Sequence, residues 1–127
     1  MKIAVITGAS RGPGRSIAEH LSRAGWGVVG TYRSSKDEAD ALVERIRSTG
    51  GATAMLPLDT ADTASFPDFA HRLGETMEAT FGRPTVDALV NNAGIGVHAP
   101  FAATALLSDE LAWANGTRIE VSGGQGI

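Results

Sequence analysis

The stretch 2–23, KIAVITGASRGPGRSIAEHLSR, constrains what this chain can fold into more than any other. Ile3, Ala4, Val5 and Ile6 form a continuous apolar run ending in Thr7-Gly8, the pattern of a strand buried on both faces of a parallel sheet. Gly8, Gly12 and Gly14 then follow in the spacing T-G-x-x-x-G-x-G, and Ile17, Ala18 and Leu21 open a helical pattern behind them. A turn without Cβ atoms lets a ligand approach the backbone and aims the free N–H groups of a helix start at a phosphate. Strand, glycine turn and helix in this order point to a site for a dinucleotide pyrophosphate, although glycines also build ordinary strand-to-helix turns.

The rest of the chain repeats the alternation. Gly25 ends the first helix, and residues 26–31 (WGVVGT) read as a second strand. Ser35-Lys36-Asp37-Glu38 has the form of a capping box, followed by Ala39, Leu42, Val43 and Ile46 on one face of a helix. Gly50-Gly51 stops it, and residues 52–58 (ATAMLPL) supply a third strand with Pro57 near its end and Asp59 just beyond. A third helix starts near Ser65-Phe66-Pro67 and turns Phe66, Phe69, Ala70, Leu73 and Met77 inward. Gly82-Arg83-Pro84 breaks it before a fourth strand at 86–90, which enters Asn91-Asn92-Ala93-Gly94. This is the signature of an α/β fold with a doubly wound parallel, Rossmann-like sheet.

Residues 117–121 are the last strand-like segment, with Ile119 and Val121 alternating with Arg118 and Glu120 as in an edge strand. Residues 92–116 are long enough for a parallel crossover, with 101–107 as its short helix. The expected sheet has five strands in the order 3-2-1-4-5, with Ser122 near its carboxyl edge.

At 127 residues the chain is expected to form one domain spanning 1–127. A net charge of −3 argues against nucleic acid or an anionic membrane as partner. With no cysteine there is no disulfide, thiolate metal site or cysteine nucleophile, which fits the cytoplasm. The four-residue apolar run after Lys2 is too short for a signal-peptide core, and no stretch approaches a membrane span. His20, His71 and His98 lack metal-ligand spacing, so no metal is expected; His98 follows the NNAG turn and is a candidate for lining a pocket, the alternative being an ordinary loop residue. The expected partners are a dinucleotide and further copies of the chain, as a homo-oligomer.

TGASRGPG, Leu58-Asp59 and Asn91-Asn92-Ala93-Gly94 stand in the order and at the distances of the short-chain dehydrogenase/reductase family, which the chain resembles through about Pro100. The resemblance implies a cofactor site built from Gly8, Ser10, Arg11, Gly12, Gly14, Asp59, Asn91, Ala93 and Gly94. In it Asp59 contacts the adenine, unless it only caps a turn, and Asn91 ties the central strands together beside the cofactor. The second strand of such folds ends near the adenosine ribose, where an acidic residue suits a free 2′-hydroxyl and an arginine a 2′-phosphate. Tyr32-Arg33 stands there, with no acidic residue before Asp37. Arg33, helped by Arg11, therefore favours NADP(H) over NAD(H), the alternative being two solvated surface charges.

The family's chemistry uses a serine, a tyrosine as general acid/base, and a lysine four residues later that shifts the tyrosine pKa. Tyr32 is the single tyrosine and Lys36 lies four residues on, but the pair sits at the adenosine end, roughly ten ångströms or more from where hydride would move. It is not expected to be catalytic. Family chains are about twice as long, and 106–124 is similar to a family C-terminus, so the catalytic segment between Pro100-Phe101 and Leu106 is expected to be missing. In an alternative alignment 118–122 is the fifth strand and Ser122 the family serine. The implied function is NADP(H) binding with little or no turnover. The rivals are an NADP-dependent oxidoreductase with an improvised proton donor from Ser122, His98 or a partner chain, and a non-catalytic partner of full-length relatives.

Overall fold

The computed structural model describes residues 1–93 and the strand at 117–120. β1 (Ile3–Ile6), β2 (Gly27–Tyr32), β3 (Thr53–Pro57), β4 (Ala88–Asn91) and β5 (Thr117–Glu120) form one sheet, and α1 (Gly12–Arg23), α2 (Lys36–Ser48) and α3 (Phe66–Phe81) connect the first four. Every neighbouring pair is parallel, in the order β3-β2-β1-β4-β5. The order is the one expected from the sequence. Boundaries moved by a residue or two: β2 runs to Tyr32, β4 starts at Ala88, and α1 begins at Gly12, inside the glycine turn. Gly94, His98, Ser122 and the helix expected at 101–107 lie outside the described residues.

All four residues of β1 are buried because helices cover both faces of the sheet. On one face Ile3, Val5 and Leu89 pack against Phe66, Phe69, Leu73 and Met77 of α3. On the other, Ile6, Val28 and Val90 pack against Ala18 of α1 and Leu42 and Ile46 of α2. The buried residues of each helix recur at the three- and four-residue spacing that places them on one side, so these amphipathic helices dock on the sheet. The capping box is a correction. Ser35 makes no side-chain cap hydrogen bond; it lines the cleft at the carboxyl ends of the strands, and only its carbonyl serves the helix, accepting from Ala39 N at 3.0 Å.

A charged clip joins the amino ends of the two central strands. Asp87 Oδ2 accepts the Ile3 N–H at 2.7 Å and pairs with Arg83, which also donates to Met1 O at 2.8 Å and Thr85 O at 2.9 Å. The Arg83 hydrogen bond, and after it the Ile3 N–H, hold the Asp87 carboxyl below its usual pKa. A depressed carboxylate pKa stabilises the fold above the unfolded value, near 4, and that contribution disappears as pH falls through the folded value. Asp87→Asn should therefore be less stable than the parent at pH 7 and draw level with it once pH has fallen below the folded-state pKa, read by urea unfolding at neutral and acidic pH. The side chain is 36% exposed, so screening keeps the gap small. A gap that does not change with pH would show that the clip acts by geometry alone.

Candidate functional site

The carboxyl ends of β1, β2, β3 and β4 surround an open cleft of about 390 Å³. Gly8, Ser10 and Arg11 enter from the turn after β1, and Thr31, Tyr32 and Arg33 from the end of β2 with Ser34 and Ser35 behind them. Leu58, Asp59 and Thr60 follow β3, and Asn92 and Ala93 follow β4. Ligands of open α/β sheets bind outside the carboxyl ends of the strands, where neighbouring connections diverge to opposite faces. Here that divergence lies between β1, whose following helix covers one face, and β4, which is reached through α3 on the other.

The glycine turn is fixed by buried hydroxyls. Thr31 Oγ1 accepts the Gly8 N–H at 3.1 Å and Thr31 O accepts the Ala9 N–H at 2.8 Å. Thr7, fully buried, accepts the N–H groups of Asn92 at 3.0 Å and Ala93 at 2.9 Å on its Oγ1. Asn92 Nδ2 returns hydrogen bonds to Thr7 O at 3.2 Å and Gly8 O at 3.0 Å. The side chain tying β1 to β4 is thus that of Asn92, where the sequence reading named Asn91. Asn91 shares a strand face with Leu89, which packs on the α3 side; its Oδ1 is buried and has no partner among the described residues.

Two glycines are sterically required. Gly8 has φ +68°, and a Cβ there would come 3.0 Å from Ala93 Cα. A Cβ on Gly14 would collide with the Gly8 carbonyl oxygen and stand 2.6 Å from Asn92 Nδ2, so this glycine lets α1 sit directly against the turn. The start of α1 is bare: Arg11 gives no side-chain cap and the first turn holds no acidic residue. Its orphan N–H groups and positive dipole end are left for an anion from outside the helix.

Arg11 and Arg33 are both exposed at the cleft, and neither is ion-paired among the described residues. Asp59 Oδ1 accepts the Ala61 N–H at 3.0 Å, a turn-capping bond made while the residue lines the cleft. Tyr32 lies in the cleft wall, whereas Lys36 is exposed and bonds Asp40 Oδ2 at 2.8 Å. That bond raises the Lys36 pKa and holds its ammonium against α2. Sequence reasoning missed Thr7, Thr31 and Asn92 as structural members of the site. For the two threonines the signal was available: a hydroxyl at the end of an otherwise apolar buried strand must find a partner. No cluster of three metal-ligating side chains occurs among the described residues, and no described helix is long and apolar enough to cross a membrane.

Residues 2–123 match the family described as short chain dehydrogenase. The chain belongs to that family. An uncharacterized oxidoreductase of Methylorubrum extorquens is 43% identical over 94 residues, covering 74% of this chain and 36% of the relative. The 3-oxoacyl-(acyl-carrier-protein) reductase FabG of Escherichia coli is 44% identical over 94 residues, with 74% and 34% covered. The chain thus spans about a third of the length of these curated relatives. Among solved structures, landomycin C-6 ketoreductase LanV with bound NADP and rabelomycin aligns with TM-score 0.82 and 29% identity, over 95% of this chain and 57% of its own. A short chain dehydrogenase from Burkholderia cenocepacia in complex with NADP aligns with TM-score 0.65 and 34% identity, over 84% and 43%.

Proposed function

We propose that the cleft binds NADP(H) in preference to NAD(H), and that this chain by itself gives little or no dehydrogenase turnover. The observation that carries the cofactor choice is the end of β2, where Arg33 stands exposed at the cleft that Arg11 also lines, with no acidic side chain among the lining residues of that strand end. A free 2′-hydroxyl calls for a carboxylate there and a 2′-phosphate for a cation. The cradle fits the rest of a dinucleotide: a helix start without cap or acidic residue, and a turn kept clear of Cβ atoms. Relatives solved with NADP support the same choice. In this reading Gly8, Ser10, Gly12, Gly14 and Ala93 line the path of the pyrophosphate and the half of the cofactor beyond it, with Asp59 near the adenine. Asn91 and Gly94 remain members of the proposed set on the family resemblance.

Bound NADP(H) would supply hydride chemistry; the residues here bind and orient it. The turnover half of the proposal rests on the tyrosine. Tyr32 is the single tyrosine of the sequence, at the end of β2, and the ammonium four residues on is engaged by Asp40. We take residues 1–127 as one domain. A cytoplasmic location is supported by the lack of cysteine, and a homo-oligomer by the place of β5 at the edge of the sheet.

Titration followed by calorimetry or tryptophan fluorescence should give tighter binding of NADPH than of NADH. Arg33→Ala should weaken NADPH by about tenfold to a hundredfold and leave NADH unchanged, as for a lost hydrogen bond to a charged group. Equal affinities in the parent chain would refute the cofactor choice. NADPH oxidation with a panel of carbonyl compounds should stay at background, and turnover abolished by Tyr32→Phe would overturn the catalytic half.

A further inference from the structure

Glu19 stands at the centre of a charged cluster outside the cleft. It lies on α1 one helical turn from Arg15 and one from Arg23, and beside Arg45 of α2. Arg15 Nε reaches Glu19 Oε1 at 3.1 Å and Arg45 Nε stands 3.5 Å from the same oxygen, while Arg23 Nη2 stands 3.5 Å from Oε2. The Glu19 side chain is only 16% exposed, whereas those of Arg23 and Arg45 are 59% and 58% exposed. One carboxylate thus faces three guanidiniums, a local surplus of two positive charges in a chain whose net charge is −3. Among the described residues none of the three arginines has another acidic partner, and none of them lines the cleft.

A guanidinium that binds through Nε keeps its two Nη groups for another acceptor. Arg15 and Arg45 both do so, and the Glu19 oxygen they share holds the two side chains in place, so little of their freedom remains to be lost on binding. We infer that the seam between α1 and α2 is a second anion site, separate from the dinucleotide cleft, and that its ligand is a phosphate dianion. A phosphate monoester carries about −1.5 to −2 charges at neutral pH, which matches the surplus of two better than a single carboxylate does. Forked arginine donors also fit its oxygens. A long polyanion needs a row of cations, whereas exposed Glu38 and Glu44 stand on α2 on either side of this one cluster. The phosphate comes either as the free ion or a small ester, or on a phosphorylated side chain of another protein; the contacts with Arg15 and Arg45 are the same.

The test follows the arginine Nε–H resonances of the full chain by NMR during titration with inorganic phosphate, with chloride holding the ionic strength constant. The Arg15 and Arg45 signals should move together and saturate with a Kd on the order of 1 mM. Arg45→Gln should weaken the response of Arg15 by about tenfold, and Arg45→Lys, which keeps the charge and loses the planar fork, by a few-fold. Circular dichroism and a cooperative melt identify variants that are folded. Arg33→Ala, at the cleft, should leave the titration unchanged, so that the outcome does not depend on what the cleft binds. A short phosphoserine peptide is the second probe: binding about tenfold tighter than inorganic phosphate assigns the ligand to a protein, and parity assigns it to the free ion or a small ester. Signals that stay still, that drift without saturating, or that respond as fully in the folded Arg45 variants overturn the site.

Discussion

Gly14→Ala should lose about 2–4 kcal/mol of stability, a cost at or above the usual range for overpacking, and with it measurable affinity for NADPH. The added methyl has nowhere to go. Its nearest neighbours are the Gly8 carbonyl oxygen and the Asn92 amide, and both belong to the hydrogen-bonded knot between β1 and β4. A flexible side chain could move aside, but here the backbone of the glycine turn must shift, or α1 must tilt away from the sheet. Either movement displaces the helix start from the cleft. Urea unfolding followed by circular dichroism gives the stability term, and titration with NADPH gives the second. A variant with the parent's midpoint and affinity would show that α1 is not seated against the turn.

Thr7→Val should lose about 2–4 kcal/mol, because the valine keeps the shape and removes the acceptor that two N–H groups have among the described residues. Asn92 and Ala93 are half-buried, so water can replace part of what is lost, which places the expectation below twice the cost of a buried orphan donor. Thr7→Ser keeps the hydroxyl and should recover most of the difference. Hydrogen exchange makes the test local. The Asn92 and Ala93 amides should exchange faster in Thr7→Val by more than global destabilisation explains. If they do not, the hydroxyl is a passenger in the knot.

Much of this was legible in the sequence, for a physical reason that differs by element. β1 and the helix faces announce themselves because burial on two sides of a parallel sheet leaves unbroken apolar runs, and docking on one side leaves a three-to-four periodicity. Gly14 was legible as part of a turn, yet the collision that requires it involves Gly8 and Asn92, brought together only by the pairing of β1 with β4. Asn91 and Asn92 are chemically identical neighbours, and nothing local distinguishes them. The register does: β4 ends at Asn91 with its side chain on the face of Leu89, so the next residue is the one turned to the glycine turn. Ser35 was misread because a capping sequence at a helix start is a local preference, and the side chain stands in a cleft wall assembled from four strands.

The central position of β1 has a consequence for how the chain is made. β1 is synthesised before both of its neighbours, β2 and β4, and the contacts of Thr7, just behind it, with the residues after β4 span up to 86 positions of sequence. At 5–20 residues per second, synthesis leaves Ile3–Ile6 without its second partner for about 4–17 s. Closure of so long a loop precedes the contacts that reward it, which slows folding of parallel sheets. During that interval a four-residue apolar strand has an open edge, and nascent chains on one message can meet there before each meets its own β4.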